Sequence, residues 1–379
     1  MKFAHLADTH LGYRQYNLDE REEDFYAAFH EAIDKIIAAK CDFVVHAGDL
    51  FDEPRPHVRA MVEVRKALDR LHENNIPIFA IPGNHDILMR RGAMIPHAIY
   101  RRIEVLTVKK PWREFNGIFI AGLPYHSKIH ANALKEELHE LATEAKKYEK
   151  KILMLHQGID KYFPLEYELK FADIPRGFDY YALGHVHKRI IDDLGFREEA
   201  GEKCHLPCGR GSRLVYPGST EMWRIDELSD YEKNGKGFFI VDVENFEIER
   251  VNLDVRPFVK AEVDSNLDLE KIKEALKVTK KPVINIAVAS DVHEYQRIHQ
   301  RLVNELKDAL YLDIKRKRRE EKEEALYDKT INIQELMNEV MKDYSEAERD
   351  YAYSVFKALS KGDLDEARIV TEYFYKVFK

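Results

Sequence analysis

The sequence predicts an α/β fold, and three observations support this expectation. Short apolar runs of strand length recur along residues 1–250. Between them lie longer stretches in which apolar residues return every three or four positions, which is the spacing of a helix with one buried face. With 379 residues, the chain is also long enough for a large core and additional small units.

Strands and helices alternate in chain order. Five apolar runs are predicted to be buried strands: Phe3 to Ala7, Phe43 to Ala47, Ile78 to Ile81, Ile152 to Leu155 and Tyr180 to Leu183. Helices are predicted at Asp19 to Ala39, Val58 to Glu73 and Asn132 to Tyr148, and shorter strands continue through Phe238 to Val241. We therefore expect residues 1–250 to form four layers, two mixed sheets face to face with helices outside.

Each of the five apolar runs leads into residues that can bind metal ions. These islands are Asp8-Thr9-His10, Gly48-Asp49, Gly83-Asn84-His85-Asp86, His156 and Gly184-His185-Val186-His187. Imidazole and carboxylate ligands without a thiolate favour manganese, iron or zinc over magnesium or an iron–sulfur cluster. Two such cations roughly 3.5–4 Å apart can clamp a phosphodiester and lower the pKa of a shared water. The islands therefore predict a two-metal hydrolase centre.

The islands resemble, in this order, the motifs of the calcineurin-like metallophosphoesterase superfamily. Within that superfamily, other segments resemble the archaeal and eukaryotic double-strand-break repair nucleases, which are relatives of bacterial SbcD. Those segments are Leu11 to Tyr13, Leu153 to Gly158, Tyr181 to Arg189 and Tyr216 to Ser219. The resemblance implies a four-layer αββα metallophosphoesterase sandwich, a small α/β cap domain and a C-terminal helical segment.

The resemblance also implies a role for each island residue. The ligands implied for a first cation are Asp8, His10, Asp49 and His187. The ligands implied for a second cation are Asp49, Asn84, His156 and His185. Asp49 would bridge two Mn²⁺ ions, or another divalent metal, in each chain. His85 would be the catalytic side chain, facing the leaving group to stabilise charge or donate a proton.

Two further acidic residues lie close to these islands. Asp86 is expected to fix the ring of His85, since an imidazole usually donates its second nitrogen proton to a carboxylate or a carbonyl. Asp52 stands where the resembled nucleases often carry a histidine. A carboxylate there can orient His85 or a water but cannot be a cationic donor, so the endonuclease role of that family histidine is not transferred to Asp52.

The net charge of −8 excludes a uniformly basic surface for nucleic acid, so contacts to DNA phosphates must be local. The candidates near the islands are Tyr13 to Tyr16, Arg55, Arg90, Arg91, Lys188 and Arg189. Arginines and tyrosines this close to a phosphoesterase centre can hold phosphates and stack on bases. For any one of them alone, a solvated surface residue is the simpler interpretation.

The pattern changes after residue 250 and predicts three further units. Residues 251–314 predict a small βαβαβ unit with strands at Val259 to Val263, Val283 to Ala289 and Leu310 to Ile314, and helices at Leu269 to Leu276 and Tyr295 to Lys307. The resemblance implies that this cap orients DNA, with Lys260 and Lys315 to Arg319 as backbone contacts. The alternative is a lid that only stabilises the core. Residues 315–327 are predicted to be a charged linker.

Residues 328–379 predict helices at Ile333 to Tyr344 and Glu346 to Leu359, and a third beyond Gly362. So short a unit cannot easily bury three apolar stripes by itself. The resemblance implies that this segment grips the coiled coil of an SMC-like ABC ATPase. A self-contained three-helix domain is the rival interpretation.

Other features bear on assembly and location. The helix from Val58 and the segment Met94 to Ile99 are mostly core, but the resemblance implies that their exposed apolar remainder forms a homodimer.

Cys41 is expected in the core, and Cys204 and Cys208 are more simply two unlinked thiols than a disulfide or half of a metal clip. No apolar run reaches membrane-spanning length, so we expect a cytoplasmic, nucleoid-associated protein.

The functional prediction combines these observations. The residues predict a two-metal phosphodiesterase without fixing the metal, and we expect it to be manganese-dependent and to act on DNA. The resemblance implies 3′-to-5′ exonuclease activity on double-stranded DNA and endonuclease activity on single-stranded or hairpin DNA. Such an enzyme would process double-strand-break ends together with the ATPase. The alternatives are a phosphomonoesterase or cyclic-nucleotide phosphodiesterase of the same fold, and a scaffold that only binds DNA ends.

Overall fold

The structure of this chain is a computed structural model. It describes residues 1–88, 94–194, 212–264, 269–277, 279–290, 292–317, 341–342, 345–360, 368, 370–371 and 374. Several predictions lie outside these residues. They concern Arg90, Arg91, Cys204, Cys208, the charged run after Lys317, and most of the helices predicted at Ile333 to Tyr344 and beyond Gly362.

The described residues form strands and helices in alternation. The strands are β1 (Lys2–Leu6), β2 (Phe43–His46), β3 (Ile78–Ala80), β4 (Glu104–Val105), β5 (Trp112–Phe115), β6 (Ile118–Leu123), β7 (Lys150–His156), β8 (Tyr180–Gly184), β9 (Ile190–Leu194), β10 (Ser212–Tyr216), β11 (Gly237–Asp242), β12 (Ile248–Asn252), β13 (Phe258–Val263), β14 (Val283–Ala289) and β15 (Tyr311–Lys317). The α-helices are α1 (Asp19–Ala38), α2 (Val58–Glu73), α3 (Ala131–Ala145), α4 (Leu228–Asn234), α5 (Glu270–Ala275), α6 (Val292–Glu305) and α7 (Glu346–Ser360). Short 3₁₀ helices cover Gln15–Asn17, Pro96–Ile99, Lys128–His130, Phe171–Asp173 and Ile225–Glu227. Of the helices in the described ranges, none combines the length and the hydropathy needed to cross a bilayer.

Two six-stranded sheets form the body of the protein. The first has the order β12-β11-β1-β2-β3-β4, and the second has the order β5-β6-β7-β8-β10-β9. Strands β1 to β4 run parallel to one another, and so do β6, β7, β8 and β10. The outer strands β11, β12, β5 and β9 pair antiparallel with their neighbours. Each sheet therefore has a parallel centre and antiparallel strands beside it.

The two sheets pack face to face, and we call the space between them the seam. Phe3 and Phe43 of the first sheet contact the same buried cluster as Ile120 and Ile152 of the second sheet. Because side chains alternate along a strand, Val44 points the other way, into a core formed with α1 and α2. Helix α3 covers the outer face of the second sheet. The predicted four-layer αββα sandwich is therefore confirmed, and Cys41 lies in its core as expected.

The helix predictions differ from the structure mainly at their ends. Helix α2 has the predicted bounds, and α1 ends one residue earlier than expected. Helix α3 ends at Ala145 rather than Tyr148. The reason is that the Tyr148 ring stacks on Phe119 of β6, with ring centroids 4.9 Å apart, so the chain has already turned back towards the second sheet.

The third sheet has three parallel strands in the order β13-β14-β15. Its strands and the helices α5 and α6 surround a separate apolar cluster that includes Ile286 and Leu302. Strand β15 continues three residues beyond the predicted end at Ile314, because Lys315 to Lys317 pair with Ala287 to Ala289 of β14. An edge strand tolerates such charged side chains, which the sequence analysis assigned to a linker.

Buried charges connect this small α/β unit to the sandwich. The Arg21 side chain is fully buried and pairs with Asp24 and Glu221. Arg256, which leads into β13, donates through Nε to the same Asp24 oxygen as Arg21, at 2.5 Å, and through Nη2 to the other oxygen at 2.8 Å. Breaking one partner of such a network leaves an unpaired buried charge, which costs several kcal/mol. The network therefore fixes the start of the small unit against the sandwich.

Residues 318–379 form a second compact unit, in which α7 is the described helix. Ser345 and Glu348 cap its first turn reciprocally, with the Glu348 carboxylate 2.8 Å from the Ser345 backbone nitrogen. Tyr351 stacks on Phe374, with ring centroids 4.1 Å apart. Phe356 keeps 43% of its surface exposed, so this helix has an apolar side chain that the described residues do not cover.

One buried histidine makes the stability of the sandwich depend on pH under acidic conditions. His5 lies inside the protein, and its Nδ1 shares a hydrogen bond of 2.9 Å with the Tyr180 hydroxyl. Burial lowers the pKa of His5 from 6.5 to about 3. In the unfolded chain this ring takes up a proton below pH 6.5, whereas in the folded chain it stays neutral down to about pH 3. Stability is therefore lost as the pH falls through this range.

We predict that His5→Gln flattens the acid limb of the stability curve. At pH 4 the wild-type histidine lowers the free energy of unfolding by roughly 3 kcal/mol relative to pH 7, and the variant lacks this loss. Urea unfolding of metal-free protein, followed by tryptophan fluorescence at both pH values, measures the difference. The control is His139→Gln, at an exposed position on α3. An equal drop in wild type and His5→Gln would contradict the prediction.

Candidate metal centre

The parallel strands of both sheets deliver the five predicted islands to one end of the seam. In the first sheet, Asp8 and His10 follow β1, Asp49 follows β2, and Asn84 and His85 follow β3. In the second sheet, His156 is the last residue of β7, and His185 and His187 follow β8. The carboxyl ends of parallel strands meet at one edge of a sheet, which is why sequence-distant islands can share one site.

Four of these residues have a left-handed backbone. The φ angles are 53° at Asp8, 42° at His10, 54° at Asp49 and 88° at His185. Such conformations are unfavourable for residues other than glycine, by roughly 1–3 kcal/mol each, and persist only where the surroundings hold them. Here the backbone nitrogens of Asp8 and His10 donate to the carbonyl oxygens of Gly48 and Asp49, at 3.0 and 3.1 Å. The sharp loops therefore keep their side chains in the seam.

The structure brings together the four side chains that we call the first ligand cluster. Its members are Asp8, His10, Asp49 and His187. The Nε2 atoms of His10 and His187 lie 3.1 Å apart. Asp49 Oδ2 lies 3.7 Å from His10 Nε2, and Asp8 Oδ1 lies 4.0 Å from His187 Nε2. Two ring nitrogens and two carboxylates thus converge on one small volume.

A second ligand cluster lies directly beside the first. Its members are Asp49, Asn84, His156 and His185. The amide oxygen of Asn84 lies 3.1 Å from His156 Nε2 and 2.9 Å from His185 Nδ1. Asp49 Oδ2, the oxygen that faces the first cluster, also lies 3.2 Å from His156 Nε2. Asp49 therefore stands between the two clusters, in the position of a bridging ligand.

The electrostatics of this centre disfavour a proton on His185, favour one on His156 and favour the ionised form of Asp49. Burial lowers the pKa of His185 to about 3. Burial acts in the same direction on His156, but Asp49 and Asp8 outweigh it and raise the pKa of His156 to about 9. Burial disfavours charge on Asp49, yet His156 and His10 hold its pKa well below the usual range. Buried carboxylates that stay ionised require a cation beside them.

The donor set fits divalent metal ions. Three groupings of side chains hold ligand atoms within 4.8 Å of one another, namely Asp8 with His10 and His187, Asp8 with Asp49 and His156, and His10 with Asp52 and His85. Imidazole nitrogens combined with carboxylate and amide oxygens suit manganese, iron or zinc. The seven predicted ligands thus lie in two neighbouring clusters, and their donor atoms are of the kinds that bind divalent cations.

The structure corrects the predicted partner of His85. Its Nδ1 donates to the backbone carbonyl of Asp52 at 2.7 Å, and not to Asp86. Asp86 is fully buried and instead accepts the backbone N–H groups of Leu50, Phe51 and Gly83 at 2.9–3.2 Å. Asp86 therefore shapes the ligand loops, because its carboxylate satisfies three backbone N–H groups of these loops.

The backbone carbonyl of Asp52 orients His85, whereas the Asp52 carboxylate contacts His10 and Trp223. Asp52 Oδ1 lies 3.3 Å from His10 Nδ1 and accepts the indole N–H of Trp223 at 3.3 Å. With Nδ1 of His85 engaged, Nε2 is the nitrogen left for a substrate. His85 lines a cleft of about 270 Å³ next to Asp49, His185 and Trp223.

Three residues around the centre were missed by the sequence analysis. Glu227 Oε1 accepts the His187 Nδ1 proton at 2.9 Å, and its other oxygen contacts the buried Lys236 ammonium. Burial opposes charge on Glu227, but Lys236 and His187 lower its pKa to about 2. The Trp223 ring stacks on His10, with centroids 5.2 Å apart and planes 22° apart. Their only sequence signal is charge and an aromatic ring soon after the Tyr216 to Ser219 segment.

The predicted DNA contacts divide into exposed and structural residues. Arg189 was a wrong candidate: it is 5% exposed, and its guanidinium donates to Asn252 Oδ1 and to backbone carbonyls that include Val251. Gln15 was wrong as well, because it is buried and donates to the Trp223 carbonyl at 2.7 Å. The exposed candidates within the described ranges include Arg14, Arg55, Lys188 and Lys260.

Comparison with known proteins agrees with this geometry. The two face-to-face sheets with a metal-type centre at the seam define a metallophosphoesterase, and residues 1–189 match the model of the calcineurin-like phosphoesterase family. The DNA double-strand break repair protein Mre11 of Methanocaldococcus jannaschii is 41% identical over 75% of this chain and 75% of its own length. The Mre11 proteins of Methanococcus maripaludis and Sulfolobus acidocaldarius are 35% and 32% identical, over 99% and 91% of this chain and 99% and 90% of their own lengths. The chain belongs to the Mre11 family, which confirms the resemblance seen in its motifs.

Proposed function

We propose that this protein is a two-metal, manganese-dependent DNA nuclease. It would cleave double-stranded DNA as a 3′-to-5′ exonuclease and cut single-stranded or hairpin DNA as an endonuclease. The observation that carries the proposal is the convergence of seven side chains into two ligand clusters that share Asp49. The names of its relatives, DNA double-strand break repair proteins, point to broken DNA ends as the substrate.

In this proposal, each part of the centre has a separate task. Two bound cations supply Lewis-acid activation of water and of the phosphodiester. The first ligand cluster would hold one ion and the second would hold the other, with Asp49 shared by the two clusters. His85 keeps Nε2 towards the cleft because its Nδ1 is tied to the Asp52 carbonyl, so it can stabilise or protonate the departing oxygen.

Exposed cations around the cleft supply contacts for the DNA backbone. Lys188 and Arg224 are exposed and line the cleft, and Arg55 is exposed on the loop after Asp52. Lys260, on the small α/β unit, is exposed as well and would serve the cap role proposed for residues 251–314. Such local contacts suit a chain whose net charge is −8. A chromosomal substrate would place the protein in the cytoplasm with the nucleoid.

We predict that His85→Asn separates binding from cleavage. The variant retains two Mn²⁺ ions and the affinity for DNA but loses roughly 10²- to 10⁴-fold in cleavage rate, because only the proton transfer and charge stabilisation at Nε2 are removed. Asp8→Ala loses one ion as well as activity. Cleavage of a labelled duplex with Mn²⁺, alongside metal content by mass spectrometry, measures both effects, with the exposed His139→Asn as control.

Two results would oppose this function. A His85→Asn protein with wild-type cleavage would remove the assigned catalytic role. Faster turnover of small phosphate monoesters or cyclic nucleotides than of DNA would favour the phosphatase alternative, and DNA binding without any Mn²⁺-dependent cleavage would favour the scaffold.

We also propose that the protein is a homodimer through α2 and the neighbouring 3₁₀ segment. Val58 at the start of α2 is 76% exposed, and Met94 and Ile99 are 76% and 54% exposed. The Tyr100 hydroxyl donates to the Met61 carbonyl at 2.8 Å, which holds this segment against α2. Exposed apolar side chains on two segments that contact each other are typical of an interface.

We predict that the double variant Val58→Glu/Ile99→Glu is a monomer. A glutamate buried in an apolar interface has no opposite charge to pair with, so the two chains no longer associate. Light scattering at micromolar concentration should give twice the 44.5 kDa chain mass for wild type and one chain mass for the variant. Ile129→Glu, at an apolar position that is 91% exposed near α3, is the control. A wild type that runs only at 44.5 kDa would refute the dimer.

We further propose that residues 328–379 dock on the coiled coil of an SMC-like ABC ATPase. Phe356 of α7 remains 43% exposed, and the Methanococcus maripaludis relative aligns over 99% of this chain, so the tail belongs to the shared length. Deletion of residues 328–379 should abolish capture of the purified ATPase while Mn²⁺-dependent cleavage of short DNA persists. Capture that survives the deletion would leave the self-contained domain as the better interpretation.

A further inference from the structure

The two ligand clusters differ in what lies behind their histidines. An imidazole binds a metal through one nitrogen, and the group bonded to the other nitrogen sets the orientation and basicity of the ring. A carboxylate in this position makes the ring a stronger ligand than a neutral carbonyl does. The partners of the outer nitrogens therefore affect how tightly each site binds a cation. The rings concerned are those of His10, His156, His185 and His187.

Both histidines of the first ligand cluster have a carboxylate behind them. His187 Nδ1 donates to Glu227 Oε1 at 2.9 Å, and Asp52 Oδ1 lies 3.3 Å from His10 Nδ1, an ion-pair contact without hydrogen-bond geometry. In each ring the opposite nitrogen, Nε2, points into the cluster. Asp8 adds a buried carboxylate to this cluster, with Oδ1 4.0 Å from His187 Nε2.

These carboxylates are held in place by their own partners. Glu227 contacts the Lys236 ammonium, the Ser219 hydroxyl at 3.2 Å and the Arg224 backbone nitrogen at 3.2 Å. Asp52 accepts the indole N–H of Trp223, whose ring stacks on His10. Because each carboxylate is fixed before a cation arrives, little ordering is left to the binding step.

The histidines of the second ligand cluster lack such support. His156 Nδ1 donates to the neutral backbone carbonyl of Ala47 at 2.7 Å. His185 Nε2 lies 3.7 Å from Glu168 Oε1, beyond hydrogen-bonding distance, and Glu168 Oε2 already accepts the Gly158 N–H at 2.8 Å. The ligand that belongs to this cluster alone besides the histidines is Asn84, a neutral amide.

We propose that the two sites load in order, and that Asp52 and Glu227 make the first ligand cluster the tighter one. The inference rests on the two-metal function proposed above and adds an order of binding to it. At low Mn²⁺ the chain would carry one ion on the first cluster, and cleavage would follow occupancy of the second. Availability of the metal would then control activity through the weaker site.

The test is Mn²⁺ titration of the full chain by calorimetry, with free Mn²⁺ measured by electron paramagnetic resonance. We expect two classes of site in wild type. Asn84→Ala should keep the tight class and lose the weak one, whereas Asp8→Ala should do the reverse. Asp52→Asn and Glu227→Gln should each weaken the tight class by roughly 10- to 100-fold and leave the weak class unchanged.

Two controls keep the result interpretable. Glu168→Gln should leave the tight class unchanged. Glu227→Gln leaves the buried Lys236 without its counter-charge, so the pair Glu227→Gln/Lys236→Met, with thermal unfolding of the metal-free proteins, separates loss of metal affinity from loss of fold. If the carboxylate variants weaken both classes equally, or only the weak one, the loading order is wrong.

Failure of the underlying function would look different. A wild type that binds fewer than two Mn²⁺ ions, or binds two without cleaving DNA, would contradict the nuclease proposal. Two ions bound with indistinguishable affinities, together with normal cleavage, would overturn the loading order alone.

Discussion

Two hydrogen bonds across the seam hold the candidate metal centre together. The Asp8 carboxylate of the first sheet accepts the His185 backbone N–H of the second sheet at 2.9 Å, and the Ala47 carbonyl accepts His156 Nδ1 at 2.7 Å. Each ligand cluster takes side chains from both sheets. The relative position of the two sheets therefore decides whether either cluster exists, and the apolar seam behind them is what fixes that position.

This closeness of the two sheets explains the glycines of two islands. A Cβ atom at Gly48 would lie 2.3 Å from His156 Nδ1, and one at Gly184 would lie 2.1 Å from the Ala47 carbonyl oxygen. Both distances are much shorter than the contacts that Cβ atoms make in proteins. Glycine before Asp49 and before His185 is thus a requirement of the approach across the seam, and Gly48 also has a φ of 92°.

The strands and the site residues could be predicted from the sequence wherever a local pattern of residues marks them. Apolar runs located the strands, and polar residues directly after them located the site, since parallel strands place their ends together. Contacts made through the backbone had no such signal, as with the Asp52 carbonyl that binds His85. Glu227, Lys236 and Arg189 resemble surface charges in the sequence, and only the fold shows that they are buried and bonded to residues 40 to 63 positions away.

We expect Asp49 to stand between two neighbouring cations. The most direct measurement is anomalous scattering from crystals of the full chain grown with Mn²⁺, recorded at the manganese edge. We predict two peaks roughly 3.5–4 Å apart, with one Asp49 oxygen contacting both and three further ligands from the chain around each. A single peak, or two peaks too far apart for Asp49 to contact both, would contradict it.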